Sequence, residues 1–189
     1  IYMQQTITTY HLDMTSPDQL CPSTRWPKEL SIARAHIPSP PLHRYLYTAV
    51  GGDWHWTDRL SWTDDEWVDW LDRETLETWV AYVRGTPAGY FELEMQAHQN
   101  VEIAYFGLIG QFVGHGIGGT LLTEAIRRGW AMGARRVWVH TCTLDHPGAV
   151  GFYRRSGFCP VRQQVQIADD PRLTGLLPDT AAPHVPIFR

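Results

Sequence analysis

Gln111-Phe112-Val113-Gly114-His115-Gly116-Ile117-Gly118-Gly119 lies between an apolar, strand-like run (Val101 to Ile109) and a helical stripe of Ile117, Leu121, Leu122, Ala125 and Ile126. The glycines at 114, 116, 118 and 119 leave backbone N–H groups with no side chain above them. The first turn of a helix adds unpaired N–H groups and about half a positive charge. A strand, a glycine-rich turn and a helix, in that order, form a cradle for a phosphate or pyrophosphate. The stretch therefore predicts a phosphorylated cofactor.

Two kinds of cofactor compete for the loop. Gly114, Gly116 and Gly119 match the dinucleotide pattern G-x-G-x-x-G. That pattern also needs an acidic residue at the end of the next strand to bind the ribose. The next strand is Arg136-Val137-Trp138-Val139-His140-Thr141, and no Asp or Glu ends it. A mononucleotide P-loop fails as well, because no Gly-Lys-Ser/Thr follows the glycines.

The remaining reading starts at Gln111. Gln111-x-x-Gly114-x-Gly116, between a strand and a helix, resembles the pyrophosphate loop of the GCN5-related N-acetyltransferases (GNAT). A second block, Thr141-Cys142-Thr143-Leu144-Asp145-His146-Pro147-Gly148-Ala149-Val150-Gly151-Phe152-Tyr153-Arg154-Arg155-Ser156-Gly157-Phe158, is similar to that family's later motif. A helix and a strand separate the two blocks, as in the family. The resemblance extends over Thr78 to Phe158. It implies an α/β fold whose mostly antiparallel central sheet is splayed between the fourth and fifth strands and flanked by helices. It also implies acetyl-CoA as cofactor and N-acetyl transfer as the activity. On this resemblance the cofactor is held by Phe106, Gly107, Leu108 and Ile109 along its pantetheine arm, with a bulge expected at Gly107. The pyrophosphate falls to Gln111, Gly114, His115, Gly116, Ile117, Gly118, Gly119 and Thr120, and the later motif contributes His146, Ala149 and Phe152. Three positions depart from the family pattern: His115 replaces a basic residue, His146 stands where Asn is common, and Gly110 where proline is common.

Bulk properties narrow the partners. At 189 residues the chain is read as a single domain, with a variable acceptor-side part (1–77), a cofactor-binding core (78–168) and a C-terminal tail (169–189). Net charge is −4 with no Lys/Arg cluster, which argues against nucleic acid as partner. No run approaches the roughly 20 apolar residues that span a bilayer, and no secretory leader is recognised, so no membrane partner is expected. Three cysteines without framework or CxxC spacing suit a reducing cytoplasm, and the scattered histidines form no metal signature.

Alternation and turn residues predict strands at 7–12, 78–83, 88–96, 101–109, 136–142 and 161–167. Thr63-Asp64-Asp65-Glu66 is a capping box opening a helix with Trp67, Trp70 and Leu71 on its apolar side. Ser16-Pro17-Asp18 reads as a short helix start, Pro147 as another, and the proline-rich stretch 36–44 as irregular.

Acetyl transfer to an amine needs a proton acceptor for the amine, a donor to the carbonyl oxygen and a proton for the departing thiolate. The resemblance makes Tyr153 the general acid, since the family's equivalent tyrosine lies beside the cofactor sulfur. A backbone N–H near Gly107, Leu108 or Ile109 is the carbonyl donor. For the base, Glu102 is the first choice; Glu94 and Glu92 share a face of the preceding strand, and His140 and His115 are weaker candidates. Trp54 and Trp56, flanked by acids and with Glu92 nearby, either form an aromatic pocket for a cationic amine or pack over the sheet. The expected acceptor is a small-molecule amine. A non-catalytic acyl-CoA-binding or sensing protein is the alternative, and a homodimer stays open.

Overall fold

The computed structural model describes residues 4–188. The strands are β1 (Gln4–Met14), β2 (Leu30–Ala35), β3 (Leu76–Val83), β4 (Thr86–Gln96), β5 (Asn100–Leu108), β6 (Arg136–Cys142) and β7 (Cys159–Asp169). The helices are α1 (Pro40–Gly51), α2 (Asp64–Leu71), α3 (Ile117–Ala131) and α4 (Ala149–Arg155). The strands form one mixed sheet in the order β2-β3-β4-β5-β6-β1-β7.

Every neighbouring pair is antiparallel except β5 and β6. That parallel pair is matched only from Asn100–Glu102 to Arg136–Trp138, after which the strands part. The splay lies between the strands at 100–108 and 136–142, where the resemblance implied it.

Two elements depart from the sequence expectation. β2 supplies an additional strand, paired with β3 from Leu30↔Val83 to Ala35↔Thr78. The stretch expected to be irregular starts α1 at Pro40, because two prolines fit the first helical turn, where the missing N–H groups have no partner to lose. The segment after Ser16 makes only a single 3-10 turn, Pro17–Gln19.

α3 lies on one sheet face and buries Ile117, Leu121, Leu122, Ala125 and Ile126 against Phe91, Leu93, Val101, Ile103, Val137 and Val139. Each Val, Leu, Ile and Phe among them contributes about 1.5–3 kcal/mol by leaving water. α1 covers the opposite face, packing Leu46 and Val50 on Val80 and Tyr90. α2 begins with the expected capping box: Thr63 N–H donates to Glu66 Oε2 at 2.7 Å, and Glu66 N–H donates to Thr63 Oγ1 at 3.3 Å. Trp67 is its buried anchor.

The bulge in β5 is at Ala104 and not at Gly107. The pairing runs Glu94↔Glu102 and Leu93↔Ile103, then resumes at Glu92↔Tyr105, leaving one extra residue on β5. This shifts the alternation by one position. Glu102, Tyr105 and Gly107 therefore share the face covered by α1, while Phe106 and Leu108 turn toward α3. Gly107 is regularly paired with Tyr90, and its missing side chain makes room for Val50: a β-carbon there would lie 2.4 Å from Val50 Cγ1.

The tail folds back on a buried arginine. Arg172 pairs with Asp170 at 2.6 Å and donates to the carbonyls of Ala181, Ala182 and Val185. Ala182 N–H donates to Asp53 O at 2.8 Å, which brings the tail beside Trp54.

Candidate active site

Where β5 and β6 part, the sheet opens into a cleft of about 700 Å³. Its walls come from the loop after α1 (Trp54, His55, Trp56, Asp58), from β5 (residues 102–108), from the glycine loop and start of α3 (Gly114, Gly118, Gly119), from β6 (His140, Thr141, Cys142) and from the α4 region (His146, Ala149, Phe152, Tyr153, Arg155).

The glycine loop has the geometry its residues require. Gly114 and Gly116 sit at φ 84 and 79, in the left-handed region that β-carbons disfavour, and Gly116 caps α3. A β-carbon on Gly114 would meet nothing within 4 Å, so the turn faces open space. The unpaired first-turn N–H groups of α3, the open turn and the cleft running onward between β5 and β6 fit a pyrophosphate followed by an extended arm.

Not every loop residue faces that space. Ile117 is buried in the core. The buried Thr120 hydroxyl donates to Arg25 O and so holds a neighbouring segment, outside the cleft. Gln111, on a 3-10 turn at Gly110–Phe112, and His115 are exposed and are not among the cleft walls. Ile109 N–H is taken by Ala88 O at 2.8 Å and cannot serve a ligand.

Glu102 and His140 form a pair across the short parallel pairing. Glu102 Oε1 lies 3.0 Å from His140 Nδ1, and Gln96 Nε2 donates to Glu102 Oε2 at 2.7 Å. Trp138 Nε1 donates to Gln96 Oε1 at 3.1 Å, which orients that amide. The hydrogen bond His140 donates to the Glu102 carboxylate raises its pKa above the ordinary histidine value, against the opposing effect of burial.

Tyr153 stands elsewhere in the cleft, packed against Phe106, Phe152 and Phe158. Burial pushes its phenol well above the ordinary tyrosine value. Among the described residues its hydroxyl has no hydrogen-bond partner. Burial also pushes the Cys142 thiol up to about 11, so this cleft cysteine is a thiol at neutral pH and a poor nucleophile. His146 lines the cleft, but its Nδ1 accepts from Gly148 N–H at 2.9 Å and its ring contacts Trp54.

The other acidic candidates are occupied. Arg59 grips Glu92 with two hydrogen bonds of 2.9 and 2.7 Å, Trp70 Nε1 adds a third at 3.0 Å, and both charged groups are buried. Glu92 therefore does not reach the cleft. Glu94 pairs with Arg73 at 2.8 Å and is also absent from the cleft walls.

Much of the tryptophan-rich region is explained by the same ion pair. The Arg59 guanidinium carbon lies 4.7 Å from the ring centre of Trp62, 4.6 Å from Trp70 and 4.2 Å from Tyr105. The protein's own arginine fills this aromatic cage. Trp54 and Trp56 stand apart and do line the cleft, Trp54 against His146 and His184, Trp56 against Tyr47, Tyr90 and Tyr105. Asp58, an exposed carboxylate on the same wall, was not singled out by sequence; only its place beside Trp56 hinted at it.

A sequence profile for the acetyltransferase (GNAT) family matches residues 42–158. The chain belongs to that family. The match spans α1 to the end of α4 and so contains both the glycine loop and the cleft's β5 and β6 walls. No curated protein matches.

Solved structures of GNAT proteins share the fold. A GCN5-related N-acetyltransferase from Sphaerobacter thermophilus superposes with a TM-score of 0.63 at 21% identity, over 87% of this chain and 52% of that one. One from Kribbella flavida gives 0.61 at 18% identity, over 91% and 62%. An aminoglycoside acetyltransferase from an uncultured soil metagenomic sample gives 0.56 at 20% identity, over 68% and 87%. At these identities the likeness is one of fold. The chain spans only 52% and 62% of the first two GNAT structures. Among the described residues, no helix is long and apolar enough to cross a membrane.

Proposed function

We propose that this GNAT chain transfers an acetyl group from acetyl-CoA to the primary amine of a small, cationic acceptor. The observation that carries this reading is that the Glu102–His140 pair and Tyr153 line one cleft, which runs back to the glycine loop.

When bound there, acetyl-CoA supplies the activated acyl group. The chain's residues do the rest. The α3 amino terminus and the Gly114–Gly116 turn anchor the phosphates. Both oxygens of Glu102 are engaged, by His140 and by Gln96. The role of proton acceptor therefore passes to His140. With Nδ1–H donating to the carboxylate, Nε2 keeps its lone pair for the acceptor's proton, and Glu102 stabilises the imidazolium that results.

The carbonyl donor is drawn from the free edge of β5. Alternate amides of a strand point to opposite edges. Since Ile109 N–H points at β4, Leu108 N–H points into the splay and is the donor assigned to the carbonyl oxygen. Tyr153 protonates the leaving thiolate; its raised pKa keeps it in the donating form. Trp54, Trp56 and the Asp58 carboxylate form the acceptor wall, where aromatic faces and a negative charge favour a cation.

The test is thiol release from acetyl-CoA across a panel of primary amines, with calorimetric titration of acetyl-CoA alongside. Turnover with a cationic amine supports the reading. Tight binding with no turnover on any amine would point to a non-catalytic acyl-CoA-binding protein, and no binding would overturn the cofactor assignment.

A further inference from the structure

The stretch between β1 and β2 crosses the amino-terminal turn of α3. Ser23 N–H donates to Thr123 Oγ1 at 2.8 Å, and the Thr120 hydroxyl donates to Arg25 O. Thr120 and Thr123 are 2% and 5% exposed, so these bonds are shielded from water and fix the backbone at both Ser23 and Arg25. The segment is close enough that a β-carbon on Gly119 would lie 3.5 Å from the Ser23 side chain.

Fixing this backbone aims one cation at the glycine loop. Arg25 Nη1 lies 4.0 Å from the point a β-carbon on Gly116 would occupy. The guanidinium is exposed, and among the described residues no carboxylate pairs with it, unlike Arg34, Arg59, Arg73 and Arg136. The loop itself is poor in charge: no Lys or Arg occurs between Gly110 and Ile126. Within the loop itself only amide dipoles would then face a pyrophosphate, which carries full negative charges.

We propose that Arg25 is a phosphate-binding residue of the acyl-CoA site, closing over the pyrophosphate at Gly116 from a segment outside the family-matched stretch 42–158. The proposal rests on the acyl-CoA reading above. Arginine suits the task because its planar fork offers parallel N–H donors that match phosphate oxygens and stays charged at any working pH. Thr120 then acts on the cofactor indirectly: its hydroxyl positions the Arg25 backbone.

The experiment is calorimetric titration of the full chain with acetyl-CoA and with dephospho-CoA, which keeps the pyrophosphate and lacks the ribose phosphate. Arg25→Gln is expected to weaken both ligands about tenfold, as for loss of a charged hydrogen bond, and to make binding less sensitive to ionic strength. Arg25→Lys should recover part of the loss, and Thr120→Val should show the Arg25→Gln pattern in weaker form. The thermal midpoint of Arg25→Gln should match wild type, since the side chain is exposed and unpaired. Wild-type affinity and salt dependence in Arg25→Gln would overturn the proposal while leaving the acyl-CoA reading intact. A loss confined to acetyl-CoA would move the contact to the ribose phosphate and overturn the pyrophosphate assignment. Failure of the wild-type protein to bind either ligand would overturn the acyl-CoA reading and this proposal together.

Discussion

Glu102 Oε1 and His140 Nδ1 are 3.0 Å apart, on two strands that pair in parallel for three residues and then separate. The pair therefore stands at the closed end of the splay, where both side chains are held by sheet geometry while the space beyond them is open. Gln96 occupies the second carboxylate oxygen, and Trp138 holds Gln96. His140 is left as the exposed member of a fixed network, 46% accessible against 11% for Glu102.

This network has a pH signature. The carboxylate raises the histidine pKa, so kcat/KM should rise with pH through a midpoint above the ordinary histidine value of about 6.5. Glu102→Gln removes the charge but leaves the burial that lowers the pKa. The midpoint should fall, and kcat should drop about a hundredfold. The linkage has a definite sign: a raised histidine pKa stabilises the fold fully below the unfolded value, and the effect is lost as pH rises through the folded one. The Tm difference between wild type and Glu102→Gln should be larger at acid pH than at alkaline pH. An unmoved midpoint would remove the pair from the proton path.

Tyr153→Phe deletes a hydroxyl without a protein partner among the described residues and keeps the ring packed on Phe106 and Phe158. Stability and acetyl-CoA affinity should stay near wild type while kcat falls about a hundredfold, the lower range for a general acid. Because burial raises the phenol pKa, no loss of its proton should show in the neutral range. An unchanged kcat would leave Tyr153 as packing only.

Arg59 and Glu92 predict a stability effect with little direct chemistry. Both are buried, and each leaves a lone charge if its partner is removed. Arg59→Met and Glu92→Gln should each cost about 3–5 kcal/mol in denaturant unfolding, and replacing both with apolar residues should cost less than the sum. Single-variant losses below about 1 kcal/mol would mean the pair is not the anchor of the tryptophan cage.

Trp54 and Trp56 should separate in their effects. Trp54 sits at the cleft rim against two histidines, so Trp54→Ala should raise the acceptor KM and leave the acetyl-CoA Kd unchanged. Trp56 is wedged among three tyrosines, and its loss should also lower Tm. Equal effects of Trp54→Ala on acceptor and acetyl-CoA would argue against an acceptor wall.

What the chain order alone determined was the strand, glycine turn and helix that open the cleft. The glycines, the apolar strand before them and the helical stripe after them are contiguous, and contiguous residues need only local geometry to form a strand, a turn and a helix. The capping box at Thr63 was legible for the same reason. What only tertiary structure decided was which polar groups are free. Glu92, Glu94 and Glu102 are equivalent as letters. One is gripped by an arginine 33 residues before it, another by Arg73, and the third meets a histidine 38 residues after it. The bulge at Ala104 inverted the face of half of β5, and no single-residue pattern marks such a shift. Burial and pairing across distant segments put Trp54, Trp56 and Asp58 on the cleft wall and assigned Thr120 and Arg25 to each other. These depend on contacts that close only after the sheet has formed, because desolvation and ion pairing act between neighbours in space, whatever their separation along the chain.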